Sequence, residues 1–485
     1  MSFTGSRYTP RTGPCPGLTN SVRYAAFLLL GLDMIGFDYG TSNCAVGVMD
    51  GNRPAIIPLG DHGRYIASNL YAPSREVIVN WLFARLPPTE QAAFKQQRTF
   101  ALQKGQAEIK ELALDGIAAD LFFGRDALTH YLQEPDEGYY IKSPKSFLGA
   151  SGLLPPQIEL FEDIVAAMMS NVKSLTETAL GRSVTRTVIG RPVNFQGLRG
   201  EESNRQALAI LTRAAKRVGF KEAEFQFEPV AAGFEYEASL TKETRVLVVD
   251  IGGGTTDCSM LLMGPEQAAA QDRSRDLLSH SGERVGGNDF DIALALKGLM
   301  PVFGLNSSLK SGKAIPVNSY WQAVAINDIN LQTEFYSAAN GRFLQQLVRD
   351  AAEPELVKRL HTVQRHKLSY RVVNAAEQSK IALTEHASQQ VDLSDIDDSL
   401  TVLLDRDGFG QACQRELSRI TALMQDAITQ SGTQPEVVFV TGGTARSPVL
   451  SQFLQQQFPH TPIVIGDHFG SVTAGLTRWA GKIYA

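Results

Sequence analysis

A strand-like run that ends in aspartate and then turns through glycine and hydroxyl residues occurs twice in this sequence. The first copy is Asp38–Asn43 (DYGTSN), which follows Ile35–Phe37, and the second is Asp250–Asp257 (DIGGGTTD), which follows Val246–Val249. Short β-branched runs that lead into glycine or aspartate are typical of strand ends. The copies are too far apart for a short solenoid repeat, so they predict two similar halves that face one cleft.

Both turns have the composition of a phosphate-binding loop. Glycine lacks a Cβ atom, so backbone N–H groups can close around phosphate oxygens. Threonine and serine hydroxyls add donors, and an aspartate at the strand end is well placed to hold a hydrated Mg²⁺ ion. Neither turn matches the P-loop pattern, and no dinucleotide fingerprint follows a strand with a suitably placed acid. The pair therefore predicts a site that holds a triphosphate from two sides.

Two further segments extend the predicted site. Phe439–Pro448 (FVTGGTARSP) reads as a strand that runs into paired glycines, against which a planar ring or a sugar can lie. Pro448 favours the start of a helix at that point. Glu377 and Lys380 lie three residues apart in a predicted helix, so their side chains share one face. A solvated surface ion pair is the alternative interpretation of these two residues.

The strands alternate with helical patterns, which predicts an α/β class with largely buried sheets. Phe161–Leu180 and Asn204–Gly219 have an apolar period near 3.6 and end on glycine, and Gly408–Gln430 is predicted to be another helix.

Composition excludes several classes of function. The 485 residues include 46 Lys and Arg against 51 Asp and Glu, which gives a net charge of −5. A protein that reads the phosphate backbone usually needs a basic face, so a nucleic-acid partner is not expected. No apolar run reaches the length of a transmembrane helix, so no membrane partner is expected either. The four cysteines form no C-x-x-C pair, which argues against a zinc site or a disulfide scaffold and favours a cytoplasmic location.

Residues 1–33 precede the first predicted strand. Residues 25–32 are apolar and follow three arginines, a pattern that signal peptides share. No small-residue cleavage site follows, and residues 8–20 are rich in proline and glycine. We interpret 1–33 as a disordered or misassigned extension, with Met34 as the natural start; a targeting segment and a structured arm are the alternatives.

Together these motifs resemble the ATPase domain of the 70-kilodalton heat-shock chaperone family (DnaK-like), which belongs to the actin-like ATPase superfamily. The resemblance runs from Met34 to the C-terminus, with the motifs in the family's order. The additional motifs are Phe123–Ala127 (FGRDA), Lys142–Gly149 (KSPKSFLG), Gly190–Phe195 (GRPVNF), Glu228–Ala232 (EPVAA) and Gly286–Asp291 (GGNDFD). The resemblance implies an α/β actin-like ATPase (ribonuclease H-like) fold with two lobes around a nucleotide cleft.

The resemblance also implies roles for single residues. Asp38 and Asp250 would hold hydrated Mg²⁺, and Lys145 would stabilise the transferring phosphoryl group. Glu228 would orient the attacking water with help from Thr255 and Asp257. The residues implied in binding ATP or ADP are Gly40, Thr41, Ser42, Asn43, Gly252, Gly253, Gly254, Thr255, Gly286, Glu377, Lys380, Thr384, Gly442, Gly443, Thr444 and Arg446. A surface lysine and a buried ion-pair carboxylate are the alternative interpretations of Lys145 and Glu228.

The implied organisation is lobe I (34–241, outer subdomain about 68–150), lobe II (242–464, outer subdomain about 290–400) and a C-terminal helix (465–485) that returns to lobe I. The family's peptide-binding domain is not expected in this chain, so peptide capture within it is not expected.

Three local departures from the family pattern bear on partners and affinity. The interval from Asp291 to Glu377 is longer than usual, and Gln196–Ser203 carries a short insertion after the hinge. The exchange factor and the J-domain partner therefore stay open. Ile381 stands where the family usually has an arginine that stacks on adenine, so adenine would be bound more weakly or by apolar contact.

The leading hypothesis is a chaperone-family protein that binds ATP and hydrolyses it slowly, as a nucleotide-driven switch for unidentified partner or client proteins. The alternatives are a small-molecule kinase of the actin-like superfamily, a filament-forming protein and a non-hydrolysing ATP-binding module. Cys44 and Cys258 follow the two turns, and we interpret them as small core residues. A redox brake on ATP binding is the alternative for these thiols.

Overall fold

A computed structural model describes residues 33–484 apart from 136, 196–199, 271–272, 274 and 467–469. The interpretation of residues 1–32 lies outside the described residues, and so do residues 196–199 of the predicted insertion. Among the described helices, none combines the length and the apolar character needed to cross a membrane.

In the part of the chain that the structure describes, sixteen strands form two large sheets and two small ones. The strands are β1 (Met34–Tyr39), β2 (Asn43–Asp50), β3 (Arg53–Ile56), β4 (Ile66–Ala67), β5 (Asn69–Ala72), β6 (Phe122–Phe123), β7 (Tyr139–Lys142), β8 (Arg186–Arg191), β9 (Glu222–Phe227), β10 (Thr244–Ile251), β11 (Thr256–Met263), β12 (Leu277–Glu283), β13 (Ser388–Asp392), β14 (Thr401–Asp405), β15 (Val437–Thr441) and β16 (Ile463–Ile465).

The two large sheets repeat one strand order. The first runs β3-β2-β1-β8-β9, with β4 beside β2, and the second runs β12-β11-β10-β15-β16. In each, the central strand pairs antiparallel with the strand that follows it in sequence and parallel with a strand from later in the chain. Asp38 and Asp250 are the penultimate residues of β1 and β10. The repeated order therefore places these aspartates at equivalent sheet positions.

Helices cover both large sheets. They are α1 (Val77–Arg85), α2 (Pro88–Gln97), α3 (Thr99–Leu114), α4 (Gly124–Gln133), α5 (Pro155–Leu180), α6 (Glu201–Arg217), α7 (Glu228–Glu237), α8 (Pro265–Ala269), α9 (Gly287–Leu294), α10 (Asn318–Val324), α11 (Ile329–Phe335), α12 (Ala338–Asp350), α13 (Pro354–Arg365), α14 (Ser369–Glu385), α15 (Arg406–Ala412), α16 (Gln414–Ser431), α17 (Pro448–Gln457) and α18 (Gly470–Ile483). This mixed architecture confirms the predicted α/β class.

Residues 34–241, the first half, and residues 242–464, the second half, each contain a large cluster of buried apolar side chains. A smaller cluster joins them, in which Val188 of β8 and Val248 of β10 pack with Leu476 of α18. Helix α18 packs against β1, β2 and α7. The chain's last described helix therefore lies where the halves meet.

The long interval between Asp291 and Glu377 is helical. Helices α10 to α13 lie within it, and Leu344, Leu347 and Val357 are buried in the apolar cluster of the second half. The enlargement is therefore part of a packed core.

Candidate functional site

A cavity of about 300 Å³ is lined by residues of both halves. Five segments that line it are the turn after β1, the turn after β10, the start of α7, one face of α14 and the turn after β15. The predicted site residues that line it are Asp38, Gly40, Thr41, Ser42, Asn43, Glu228, Asp250, Gly252, Gly253, Thr255, Glu377, Lys380, Gly442, Gly443 and Thr444.

The other predicted site residues do not line this cavity. Lys145 and Asp257 are buried beside it, and their contacts are described below. Thr384 donates to the carbonyl oxygen of Lys380 at 3.4 Å, one turn earlier in α14. Arg446 is exposed to solvent. The remaining two are Gly254, which belongs to the second turn, and Gly286, which packs against that turn.

The first turn, after β1, is closed by its own segment and by β4–β5. The Ser68 hydroxyl donates to the carbonyl oxygen of Gly40 at 2.7 Å. A Cβ atom on Gly40 would lie 2.3 Å from the carbonyl oxygen of Asn43, so only glycine fits this position without a shift. The turn is therefore tight enough for its N–H groups to face the cavity together.

The second turn, after β10, is covered by backbone from other segments. Gly252 N–H donates to Thr255 at 2.9 Å, and the N–H groups of Gly287 and Asn288 donate to Gly252 and Gly253 at 2.8 and 2.7 Å. A Cβ atom on Gly286 would lie 2.7 Å from the carbonyl oxygen of Gly252. This turn is therefore held by the start of α9.

The two turns touch each other. A Cβ atom on Gly253 would lie 2.0 Å from the Ser42 hydroxyl oxygen, so the glycine permits direct approach of the turn from the other half. Gly442, after β15, packs on the backbone of Ile251 and has φ +95°, a conformation that favours glycine. Three glycine-bearing segments thus converge on one space, which is the geometry expected of a phosphate-binding cradle.

Lys145 and Glu228 form a buried ion pair at the inner wall. Lys145 lies in a short 3₁₀ helix, Pro144–Phe147, and its ammonium also donates to the carbonyl oxygen of Gly190 at 3.2 Å. Glu228 is the first residue of α7 and is followed by Pro229, a favoured first-turn residue. The lysine is 4% exposed, which contradicts its alternative interpretation as a surface residue.

Three aspartates share this wall and have raised pKa values. Burial, reinforced by the charge of Glu228, raises the pKa of Asp38 to about 7 and that of Asp257 to about 8. The same causes raise the pKa of Asp250 well above its usual value. Asp257 also accepts the N–H of Val193 at 2.9 Å. The positive charge of Lys145 therefore does not offset the burial and mutual repulsion of these carboxylates.

Two carboxylates are placed to hold a divalent cation. Asp38 and Asp250 both line the cavity. Among the residues that the structure describes, no group of three or more His, Cys, Asp or Glu is placed to hold a metal ion. Mg²⁺ usually keeps several waters and contacts only one or two carboxylates alongside substrate phosphates. The residues present fit a hydrated Mg²⁺ ion.

The opposite end of the cavity is formed by α14. Glu377 pairs with Lys142 across the cleft, whereas Lys380 pairs with Asp291 at 2.7 Å and donates to Gly287 at 3.1 Å. Burial opposes ionisation of Glu377, but Lys142 and Lys380 lower its pKa below the usual value. The two residues are therefore anchored to separate partners and face the cavity together.

Sequence reasoning missed some of the lining. Ala45, Tyr65, Gly287 and Val472 also line the cavity. Gly287 lies within the GGNDFD motif and could have been named from it. No sequence signal marks Tyr65 or Val472, because tertiary packing alone brings them to the site.

Comparison with known proteins bears on the same residues. A family model described as Hsp70 protein matches residues 159–300, which include Glu228, the second turn and Gly286. The chaperone protein DnaK of Prochlorococcus marinus (strain MIT 9515) is 23% identical over 435 residues, which cover 87% of this chain and 55% of the relative. The chaperone protein dnaK of Gracilaria tenuistipitata var. liui is 25% identical over 448 residues, which cover 88% and 57%. The chain thus spans somewhat more than half the length of these curated relatives.

Proposed function

We propose that the chain is a DnaK-like member of the Hsp70 family that binds ATP in the cavity between its halves and hydrolyses it slowly. One observation carries the proposal: the buried Lys145–Glu228 pair stands beside Asp38 and Asp250, at a cavity into which two glycine turns open. A lysine, a water-orienting carboxylate and converging N–H groups are what phosphoryl transfer to water needs.

In this proposal the two turns hold the phosphates. The N–H groups of Gly40–Ser42 and of Gly253 donate to phosphate oxygens, and the hydroxyls of Thr41 and Ser42 add further donors. The N–H of Gly252 stays bonded to Thr255 and fixes the turn. Ser42 already lies against Gly253, so both turns grip one triphosphate from opposite sides. Gly442, Gly443 and Thr444 form the floor under the nucleoside, and Glu377 and Lys380 face its sugar.

The inner wall carries out the chemistry. Lys145 stabilises negative charge on the transferring phosphoryl group, and Glu228 accepts a hydrogen bond from the attacking water and orients it. Thr255 and Asp257 complete the water's surroundings. Asp38 and Asp250 hold the hydrated Mg²⁺ that accompanies ATP, which neutralises phosphate charge when bound. A cation there favours the ionised carboxylates whose pKa values burial otherwise raises.

We further propose that 34–241 and 242–464 act as two lobes that close on ATP and open after hydrolysis, with α18 returning to lobe I. The output is read by partner or client proteins that are still to be identified. An exchange factor and a J-domain protein stay open as partners, because the second-half enlargement and the sequence after Gly190–Phe195 depart from the family pattern.

The test is ATP turnover by the purified full chain with and without Mg²⁺, together with ADP binding by calorimetry. We expect slow, Mg²⁺-dependent turnover that Lys145→Ala lowers by roughly 100-fold or more, whereas exposed Lys104→Ala leaves it unchanged. ADP formation without any added acceptor distinguishes hydrolysis from a kinase reaction. Tight ADP binding without turnover would indicate a non-hydrolysing module, and the absence of binding would refute the proposal.

A further inference from the structure

Three tyrosines meet across the cleft, outside the nucleotide cavity. Tyr131 of α4 and Tyr140 of β7 belong to the first half and stack with ring centroids 4.7 Å apart. Tyr370 of α14 belongs to the second half and meets both rings edge-on, at 5.6 Å from Tyr131 and 5.2 Å from Tyr140. Edge-to-face contacts at these separations are favourable.

Hydrogen bonds hold the cluster in place. The Tyr131 hydroxyl donates to the carbonyl oxygen of Lys367 at 2.7 Å, which is a second contact between the halves. The side-chain amide of Asn69 donates to the Tyr140 hydroxyl at 3.0 Å. Tyr131 is only 3% exposed. The three rings are therefore packed together rather than simply adjacent on the surface.

The cluster borders a second cavity that adjoins the nucleotide cavity. A second cavity of about 130 Å³ shares Ser42, Asn43 and Glu377 with the nucleotide cavity and is also lined by Tyr140 and Tyr370. A third cavity of about 160 Å³ is lined by the same two tyrosines from its own side. The Tyr140–Tyr370 pair therefore separates these two cavities.

Helix α14 connects the tyrosines to the nucleotide site. Tyr370 and Glu377 lie seven residues apart, two helical turns, so they share one face about 10 Å apart along the axis. Lys380 follows one turn later on the same side of the helix. A helix moves as a rigid unit over this distance, so the contacts of Tyr370 help to set the position of Glu377 and Lys380. These two residues also keep their own ion pairs, with Lys142 and Asp291.

We propose that Tyr131, Tyr140 and Tyr370 form an aromatic clasp that positions α14 and so sets how long a bound nucleotide stays in the cleft. The clasp residues are positioning residues, since they act on the nucleotide only through Glu377 and Lys380. The inference rests on the proposed function, because it requires a nucleotide in the cavity.

The test is the release rate of tritiated ADP from the full chain after a chase with unlabelled ADP. Tyr370→Ala and Tyr131→Ala are each expected to speed release roughly tenfold. Because both substitutions remove the Tyr131–Tyr370 contact, the double variant is expected to release ADP faster than either single variant but by less than the product of the two single effects. Tyr370→Phe keeps the ring and stays within about twofold of the unmodified protein. The matched control is Tyr484→Ala, which changes a half-buried tyrosine that lines none of these three cavities.

Urea unfolding of each variant separates the clasp from a purely structural role, which would lower stability and leave the release rate unchanged. Should Tyr370→Ala fail to fold, Tyr370→Leu replaces it. Release at the original rate in both alanine variants, or effects that multiply in the double variant, would overturn the clasp alone. Failure of the unmodified protein to bind ADP would instead overturn the proposed function, and the clasp with it.

Discussion

The two turns that line the cavity arise from sheets of the same strand order, yet they are built differently. The first turn is closed by nearby residues of the first half, since Asn43 fills the space beside Gly40 and Ser68 donates to the Gly40 carbonyl oxygen. The second is closed by other segments, with Gly286 and Gly442 packed against its backbone. Equivalent positions in a repeated sheet therefore give one turn that is closed by residues nearby in the sequence and one that depends on distant parts of the second half.

The charges are divided unevenly as well. The first half supplies Lys145 and Glu228 in addition to Asp38, whereas the second half supplies Asp250 and Asp257. Lys145 is the lysine that lowers the pKa values of all three aspartates, and it comes from the first half. Asp250 and Asp257 of the second half thus receive the favourable charge of Lys145 only when the two halves are together.

The largest effect is expected from a substitution at Gly286, which lies outside the second turn and packs against it. Gly286→Ala places a Cβ atom 2.7 Å from the carbonyl oxygen of Gly252, so the turn must shift. We expect a roughly 100-fold loss of ADP affinity, because hydrogen bonds to charged groups contribute about 1.5–3 kcal/mol each and the shift disturbs those to the phosphates. Calorimetry with ADP measures it, with Gly410→Ala as control because its Cβ atom would make only ordinary contact at 3.4 Å. Unchanged affinity in Gly286→Ala would show that the turn is not dependent on its cover.

Two substitutions with a smaller expected effect test whether the equivalent aspartates, Asp38 and Asp250, have the same role. Asp38→Asn and Asp250→Asn each remove one carboxylate that faces the proposed hydrated Mg²⁺, and we expect each to reduce the Mg²⁺-dependent gain in ADP affinity roughly tenfold. The measurement is ADP titration with Mg²⁺ and again with EDTA. In EDTA the ADP affinity of the variants should no longer be lower than that of the unmodified protein. Equal losses would make the two sheets functionally symmetric. An undiminished Mg²⁺ effect in both variants would refute the assignment.

The sequence was informative where function requires a local motif. Short segments predicted the ends of β1 and β10 and the α/β class. They also predicted the resemblance that the DnaK relatives and the match of the Hsp70 model to residues 159–300 support. The assigned roles of the site residues stay predictions. The pairing of Lys142 with Glu377 was not predicted, because a contact between residues so far apart in sequence has no local pattern.

The same limit applies to helix boundaries. The predicted helix Gly408–Gln430 is two helices, α15 and α16, separated at Cys413, whose buried thiol packs beneath α9. The apolar period continues through the break, so periodicity alone could not reveal it. Tertiary packing decided this boundary.

The pH dependence of stability sharpens the charge comparison. In the nucleotide-free protein Asp257 titrates at about 8 when folded and near 4 when unfolded, so between these values only the folded state keeps the proton. Stability then falls as pH rises, by roughly 2 kcal/mol from pH 6 to 8 for this group. Urea unfolding at both pH values should show this loss, and Asp257→Asn should reduce it.

The control for that experiment is Asp115→Asn, which changes an exposed aspartate and should leave the loss between pH 6 and 8 as it was. Asp38 and Asp250 also have raised pKa values, so Asp257→Asn is expected to retain part of the dependence. The same dependence in Asp257→Asn as in the unmodified protein would mean that this carboxyl is ionised throughout.

The smallest expected effect concerns the cysteine that follows each turn. Cys44 and Cys258 are fully buried, and burial raises the pKa of Cys44 to about 12 and that of Cys258 further. The thiolate is the reactive form, and for Cys44 its fraction at pH 7.5 is below about one in ten thousand. Iodoacetamide should therefore modify neither thiol in the folded protein, with or without ADP, and both in urea, as peptide mass spectrometry resolves. Modification of either in the folded state would favour a redox brake, and restriction to one would mean that the two turns differ in accessibility as well as in construction.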